Sequence, residues 1–237
     1  MQKNKIHILS TRPIGKALIA EAEEENILIE EIPFIRTEEI IDAITTKKIQ
    51  ELSHQHITAI FTSMNAAEAI RKFTSPEMNW SIFCIGNATK KIITNLFPEK
   101  KILATADNAG LLAEKIINNS SINEVFFFCG DQRREELPGM LRANNINVEE
   151  IVVYKTIATP HALIKQYDGI LFFSPSAVQS FFSKNSIDDK TKVFTIGSTT
   201  ADAVKSFYQQ PAIVSEKPGK ENLVRLAIKH FSKSKIY

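Results

Sequence analysis

Glycine is scarce in this chain, with only eight among 237 residues. There is no Walker loop and no G-x-G-x-x-G turn, so the usual glycine cradles for nucleotide phosphates are excluded. Cysteine is scarcer still. Cys84 and Cys129 each sit in an apolar run (Ile82-Phe83-Cys84-Ile85 and Phe126-Phe127-Phe128-Cys129), which reads as buried inert thiol rather than disulfide or catalytic pair. No apolar run approaches the roughly 18–20 residues of a membrane span. The charged start MQKNKIHILSTRP shows no signal-peptide core. Nor is there an excess of one charge: 29 basic against 27 acidic residues leave +2. That balance offers no basic surface to a nucleic-acid backbone. The histidines show no metal-ligand spacing beyond His54-Gln55-His56 in a polar stretch, and no G-x-S-x-G elbow sets up a serine nucleophile. The expectation is a cytoplasmic protein with reduced thiols and no metal, membrane or nucleic acid.

What the chain does have is a repeat. Phe61 and Phe172, Ser63 and Ser174, Ala66 and Ala177, Gly86 and Gly197, Thr89 and Thr200, and Leu112 and Leu223 pair at one constant offset. A second, slightly larger offset pairs Leu18 with Leu137, Asn26-Ile27 with Asn145-Ile146, Glu30-Glu31-Ile32 with Glu149-Glu150-Ile151, and Thr37 with Thr156. One short insertion or deletion between Thr37 and Ile57 reconciles the two. Chance could supply any single pair, but two collinear sets over most of the chain point to an internal duplication.

Each repeat alternates short apolar strands with helices. In the first, strands are predicted at 5–10, 27–36, 57–62, 80–85 and 102–103. Helices are predicted at 14–25, 37–52, 66–72, 88–96 and 109–118, where apolar residues recur at helical spacing. Residues 124–230 follow the same order. Such βα alternation predicts an α/β fold of two doubly wound, flavodoxin-like parallel-sheet domains. The Phe126-Phe127-Phe128 and Phe172-Phe173 runs then read as buried strand. Glu23-Glu24-Glu25, Lys90-Lys91 and Lys100-Lys101 read as solvated charge.

Ligands of open α/β sheets bind beyond the carboxyl ends of the strands. The loops that fall there, 10–15, 62–65, 85–89, 129–135, 173–176 and 196–200, are rich in hydroxyls, amides and helix starts. Free N–H groups at helix starts suit carboxylate or phosphate. Ser63, Asn65, Ser174, Ser176 and Thr200 can equally serve as plain helix caps. Tyr154 ends the apolar run Ile151-Val152-Val153, and its repeat partner is the aliphatic Ile35. It reads either as a half-buried strand tyrosine or as a phenol able to act as a general acid.

In order along the chain come Thr11-Arg12-Pro13, Phe61-Thr62-Ser63-Met64-Asn65-Ala66, Ile85-Gly86-Asn87-Ala88-Thr89 and Cys129-Gly130-Asp131 with Arg134. Val153-Tyr154, Phe173-Ser174-Pro175-Ser176-Ala177-Val178 and Ile196-Gly197-Ser198-Thr199-Thr200-Ala201 complete the set. This ordered set resembles the uroporphyrinogen-III synthase family. The resemblance implies that the second strand of each repeat is a linker, so that the chain crosses between domains twice. Domain one would be 1–35 plus 157–237 and domain two 38–153, joined by linker strands at about 30–37 and 149–156. The substrate would lie in a cleft between them.

The implied reaction closes linear hydroxymethylbilane, with loss of water and inversion of ring D, to uroporphyrinogen III in haem biosynthesis. The enzyme would be a cofactor-free monomer in transient contact with hydroxymethylbilane synthase. Tyr154 would be catalytic, and substrate would be bound by Arg12, Ser63, Asn65, Gly86, Thr89, Gly130, Asp131, Arg134, Ser174, Ser176, Gly197, Thr199 and Thr200. Three features depart from the family pattern: Phe173 stands in place of a threonine, Pro218-Gly219 in place of Pro-Thr, and Asp131-Gln132-Arg133 in place of a glycine-rich turn. A non-catalytic binder of an anionic small molecule, built on the same loops, stays open beside the enzyme. A receiver or flavodoxin module fits less well, because Ser10-Thr11-Arg12 lacks the paired acids of the one and Pro13-Ile14-Gly15 makes a poor phosphate loop for the other.

Overall fold

The computed structural model describes residues 5–75, 78–97, 101–217 and 219–233, without the side chains of Asn87, Lys101 and Lys233. Lys100 and Pro218, named above, lie outside the described residues. The strands are β1 (Ile6–Ser10), β2 (Ile27–Glu31), β3 (Ile35–Glu39), β4 (Ile57–Phe61), β5 (Trp80–Ile85), β6 (Lys101–Ala106), β7 (Glu124–Gly130), β8 (Asn147–Ala158), β9 (Gly169–Phe172), β10 (Lys192–Thr195) and β11 (Ile213–Val214). The helices are α1 (Lys16–Glu24), α2 (Ala43–Ser53), α3 (Met64–Ala69), α4 (Gly86–Leu96), α5 (Ala109–Ile117), α6 (Glu136–Ala143), α7 (Pro175–Phe182), α8 (Ser198–Lys205) and α9 (Lys220–Lys233).

The chain divides into two compact units, one of residues 1–36 with 157–237, the other of 37–156. The first unit holds the sheet β11-β10-β9-β1-β2, the second the sheet β3-β8-β7-β4-β5-β6. Under the repeat, β7 and β8 correspond to β1 and β2, while β9, β10 and β11 correspond to β4, β5 and β6. Each unit therefore takes the first two strands of one repeat and the last three of the other, in the same parallel order. That is the doubly wound architecture expected from the alternation of elements. Both copies also turn from helix into strand through an asparagine in the left-handed region, Asn26 at φ 58° and Asn145 at φ 60°, a conformation asparagine tolerates better than most residues.

Alternation along each strand splits the apolar residues between two faces, each covered by helices. In the first unit Ile8, Leu171 and Phe194 pack with α1 and α9, while Leu9, Ile170 and Phe172 pack with α7 and α8. In the second, Phe61, Phe126 and Phe128 face α2, α3 and α4, and Phe127 and Cys129 face α5 and α6. Trp80 stacks on Phe128 at 5.2 Å between ring centroids and donates its Nε1–H to the Leu52 carbonyl at 3.0 Å. The phenylalanine runs are thus core. Both cysteines are free and buried; burial pushes the Cys84 thiol up to about 11 and the Cys129 thiol up to about 12.

Three sequence expectations need correction. Residues 27–36 form two strands rather than one, broken at Ile32-Pro33-Phe34, where Phe34 turns into the core and is fully buried. Residues 37–39 belong to β3 rather than to a helix, and Ile40 donates its N–H to the Val153 carbonyl at 3.1 Å. Helix α2 begins only after Asp42, whose side chain accepts the Thr45 N–H. The second repeat also does not follow the full order, because residues 159–168 run from β8 to β9 without a helix. The short insertion or deletion inferred between Thr37 and Ile57 therefore coincides with α2.

Candidate functional site

In the first unit, Ser10 bends the chain out of β1 by donating its hydroxyl to the Arg12 carbonyl at 2.6 Å. Thr11 is buried and donates its Oγ1–H to the Leu171 carbonyl at 2.7 Å. Glu31 Oε1 accepts the N–H groups of Ile14 at 2.6 Å and Gly15 at 3.2 Å, so an internal carboxylate already fills the start of α1. Ser174 caps α7 by accepting the Ala177 N–H at 3.2 Å, and its hydroxyl lies 3.3 Å from that of Ser176. Helix α8 starts at Gly197 with no side-chain cap, leaving the exposed Ser198 and Thr199 at its tip. Thr200 is buried one residue further in.

The second unit repeats the scheme. Ser63 caps α3 and accepts the Asn65 N–H at 3.1 Å. Helix α4 starts at Gly86, φ +70°, again without a side-chain cap, and Thr89 is buried within its first turn. Each unit therefore presents a serine-capped helix, α7 or α3, and beside it a helix without a side-chain cap, α8 or α4, at the carboxyl end of its sheet. Helices α1 and α6 also lack a side-chain cap, but Glu31 fills the start of α1 and Glu136 stands in the first turn of α6; the tips of α4 and α8 keep N–H groups and a dipole able to receive an anion.

Tyr154 breaks this symmetry. It lies on β8 opposite Gly130, and its hydroxyl donates to Ser63 Oγ at 3.1 Å. Beside it is a shallow depression of about 190 Å³ whose lining includes Thr37, Asn65 and Glu68. Burial pushes the phenol above its ordinary pKa, and its hydrogen bond to Ser63 only partly offsets it. It is therefore a protonated donor at neutral pH.

A family model described as uroporphyrinogen-III synthase HemD matches residues 16–225. The chain belongs to the uroporphyrinogen-III synthase family. It is 24% identical over 214 residues to the uroporphyrinogen-III synthase of Schizosaccharomyces pombe, covering 81% of this chain and 83% of that protein. It is 25% identical over 207 residues to that of Saccharomyces cerevisiae, covering 76% and 72%. Among solved structures, uroporphyrinogen-III synthetase from Helicobacter pylori superposes with a TM-score of 0.68 at 16% identity, over 95% of this chain and 99% of that one. A mutant Thermus thermophilus enzyme gives 0.64 at 12% identity, over 96% and 99%. These structural likenesses show a shared fold.

Where this synthase-family chain departs from the expected pattern, the structure gives two of the departures, Phe173 and Asp131, a contact. Phe173 carries the exposed Arg12, whose Cζ lies 5.6 Å from the ring centroid. Gly219, φ +127°, leads into α9. Asp131 turns onto β8 and accepts the Thr156 N–H at 2.9 Å, while Arg134 is exposed. Glu31 and Glu150 escaped the sequence analysis. They are equivalent in the repeat, and both reach the loop after their repeat's first strand, β1 or β7. Glu31 takes backbone N–H groups there, and Glu150 takes the guanidinium of Arg133, with Nη2 at 2.9 Å. The repeated Glu-Glu-Ile was the available signal. Among the described residues no His/Cys/Asp/Glu group is placed to hold a metal, and no helix is long and apolar enough to cross a membrane.

Proposed function

We propose that this chain cyclises hydroxymethylbilane to uroporphyrinogen III, losing water and inverting ring D, as a cytoplasmic step of haem biosynthesis. Family membership over residues 16–225 carries the reading. The site chemistry supports it, since a carboxylate-rich substrate matches the open tips of α4 and α8 at Gly86 and Gly197, together with Arg12 and Arg134. Ser63, Asn65, Ser174, Ser176 and Thr199 add hydroxyl and amide contacts around those tips. Thr89 and Thr200 are buried in the first turns of α4 and α8. The bilane closes unaided to the uninverted isomer, so the catalyst must favour one conformation, mainly an effect of orientation. The pyrrole lone pair expels the terminal hydroxyl as Tyr154 donates its proton to it, and water leaves. Ring D then attacks to give a spirocyclic pyrrolenine, which opens and recloses with the ring inverted.

The test is the isomer ratio. Hydroxymethylbilane is generated in situ, the protein is added, and the oxidised products are separated. Isomer III is expected to dominate in proportion to protein concentration, and Tyr154→Phe is expected to slow its formation about tenfold or more. Isomer I alone from folded protein would leave a non-catalytic binder. Full turnover in Tyr154→Phe would remove the phenol's role.

A further inference from the structure

The loop after β7 holds Tyr154 from several directions. The register of β7 on β8 shifts between Cys129, which faces Val152, and Gly130, which faces Tyr154. An irregularity of this kind re-aims the side chain beside it. Asp131 donates its N–H to the Tyr154 carbonyl at 3.0 Å, and its carboxylate Oδ1 accepts the Thr156 N–H at 2.9 Å. Gln132 Nε2 donates to the Thr156 carbonyl at 3.2 Å. The ring lies so close over Gly130 that a Cβ there would come within 2.4 Å of Tyr154 Cζ and 2.8 Å of its hydroxyl oxygen.

The duplication supplies an internal control. In the other repeat the residues equivalent to Gly130, Asp131 and Tyr154 are Thr11, Arg12 and Ile35. Thr11 spends its hydroxyl on the Leu171 carbonyl, and Arg12 points no carboxylate at a neighbouring strand but rests on Phe173. The glycine, the acid and the phenol therefore differ from their counterparts together, at positions in contact. A carboxylate would also be a poor direct partner for a polyanionic substrate, since like charges repel.

We propose that Asp131 is a positioning residue for the reaction, acting through Tyr154: it holds the backbone that follows the ring, at the Tyr154 carbonyl and the Thr156 N–H, while Gly130 leaves the space the ring occupies. The inference rests on the reading of Tyr154 as proton donor. Steady-state kinetics with hydroxymethylbilane on Asp131→Ala, Asp131→Asn, Tyr154→Phe and the Asp131→Ala/Tyr154→Phe double variant tests it. Asp131→Ala is expected to lower kcat about tenfold or more with KM unchanged. Asp131→Asn, which keeps Oδ1 for the Thr156 N–H, is expected to recover most of that loss. In the Tyr154→Phe background, Asp131→Ala is expected to cost nothing further. No loss, an equal loss in both backgrounds, failure of the asparagine to rescue, or a rise in KM with kcat intact overturns the positioning role and leaves the phenol's role standing. Full turnover in Tyr154→Phe overturns both. If Asp131→Ala does not fold, Gly130→Ala serves in the same cycle, because its methyl must displace the phenol.

Discussion

Arg12 illustrates how a single residue's use depends on its support. An exposed arginine side chain has many rotamers, and ordering it costs entropy on binding. The Phe173 ring beneath its guanidinium removes part of that cost before any substrate arrives. Phe173→Leu keeps apolar bulk but loses the ring's electrostatic face, worth about 0.5–1 kcal/mol at an exposed site. The expected outcome is a KM about two- to fivefold higher with kcat unchanged, read from steady-state rates. Sequence alone marked Phe173 as a missing hydroxyl, because the ring's partner follows β1, far away in the chain. Tyr154 could be read further. Its mismatch with Ile35 drew attention to it, although its bond to Ser63 needed the fold.

Among the elements, strands were the easiest to read and the segment from 37 to 52 the hardest. Ile40, Ile41, Ile44 and Ile49 recur at helical spacing, yet Ile44 is 80% exposed, so the spacing did not mark a buried face. Pairing of β3 with β8 overrode it, and Asp42, a good capping residue, was the better signal of where α2 starts. Helix α6 and strand β8 are tied by ions that local sequence does not reveal. Arg133 and Arg142 both hydrogen-bond the largely buried Glu150, and both reach Glu135 as well. Burial opposes ionisation of Glu150, but the bonds from Arg133 and Arg142 outweigh it and hold its carboxyl below the ordinary carboxylate range. A group whose pKa is lowered on folding adds stability above its unfolded pKa and loses it as the pH falls through the folded value. Glu150→Gln is therefore expected to be less stable than the parent at neutral pH by about 1–2 kcal/mol. The gap should narrow once the pH drops below about 4.5. Urea unfolding across that range checks it.

At the scale of the whole molecule, the duplication was readable because equal residues recur at constant offsets. Its distribution between the units was not. Periodicity alone suggests a cut midway along the chain, whereas the sheets exchange strands between repeats. Nothing local to β1 or β7 says that it will pair with β9 or β4 of the other repeat, since these four strands are similarly apolar. The arrangement makes one unit continuous in sequence, 37–156, and the other discontinuous. A fragment of residues 37–156 contains both of its core layers and is expected to unfold cooperatively by itself. A fragment of 157–237 lacks β1, β2 and α1, and with them Ile8, Leu18 and Ile27 of its core, so it is expected to show no cooperative transition in thermal melts followed by circular dichroism. The same discontinuity has a consequence on the ribosome. The opening strand, helix and strand emerge first, but their neighbour β9 is not yet made. At roughly 5–20 residues per second, they wait on the order of ten seconds while the inserted unit is synthesised and can close. Throughout that interval the edge of β1 that β9 will cover stays unpaired, and it closes only when residues beyond the inserted unit have been translated.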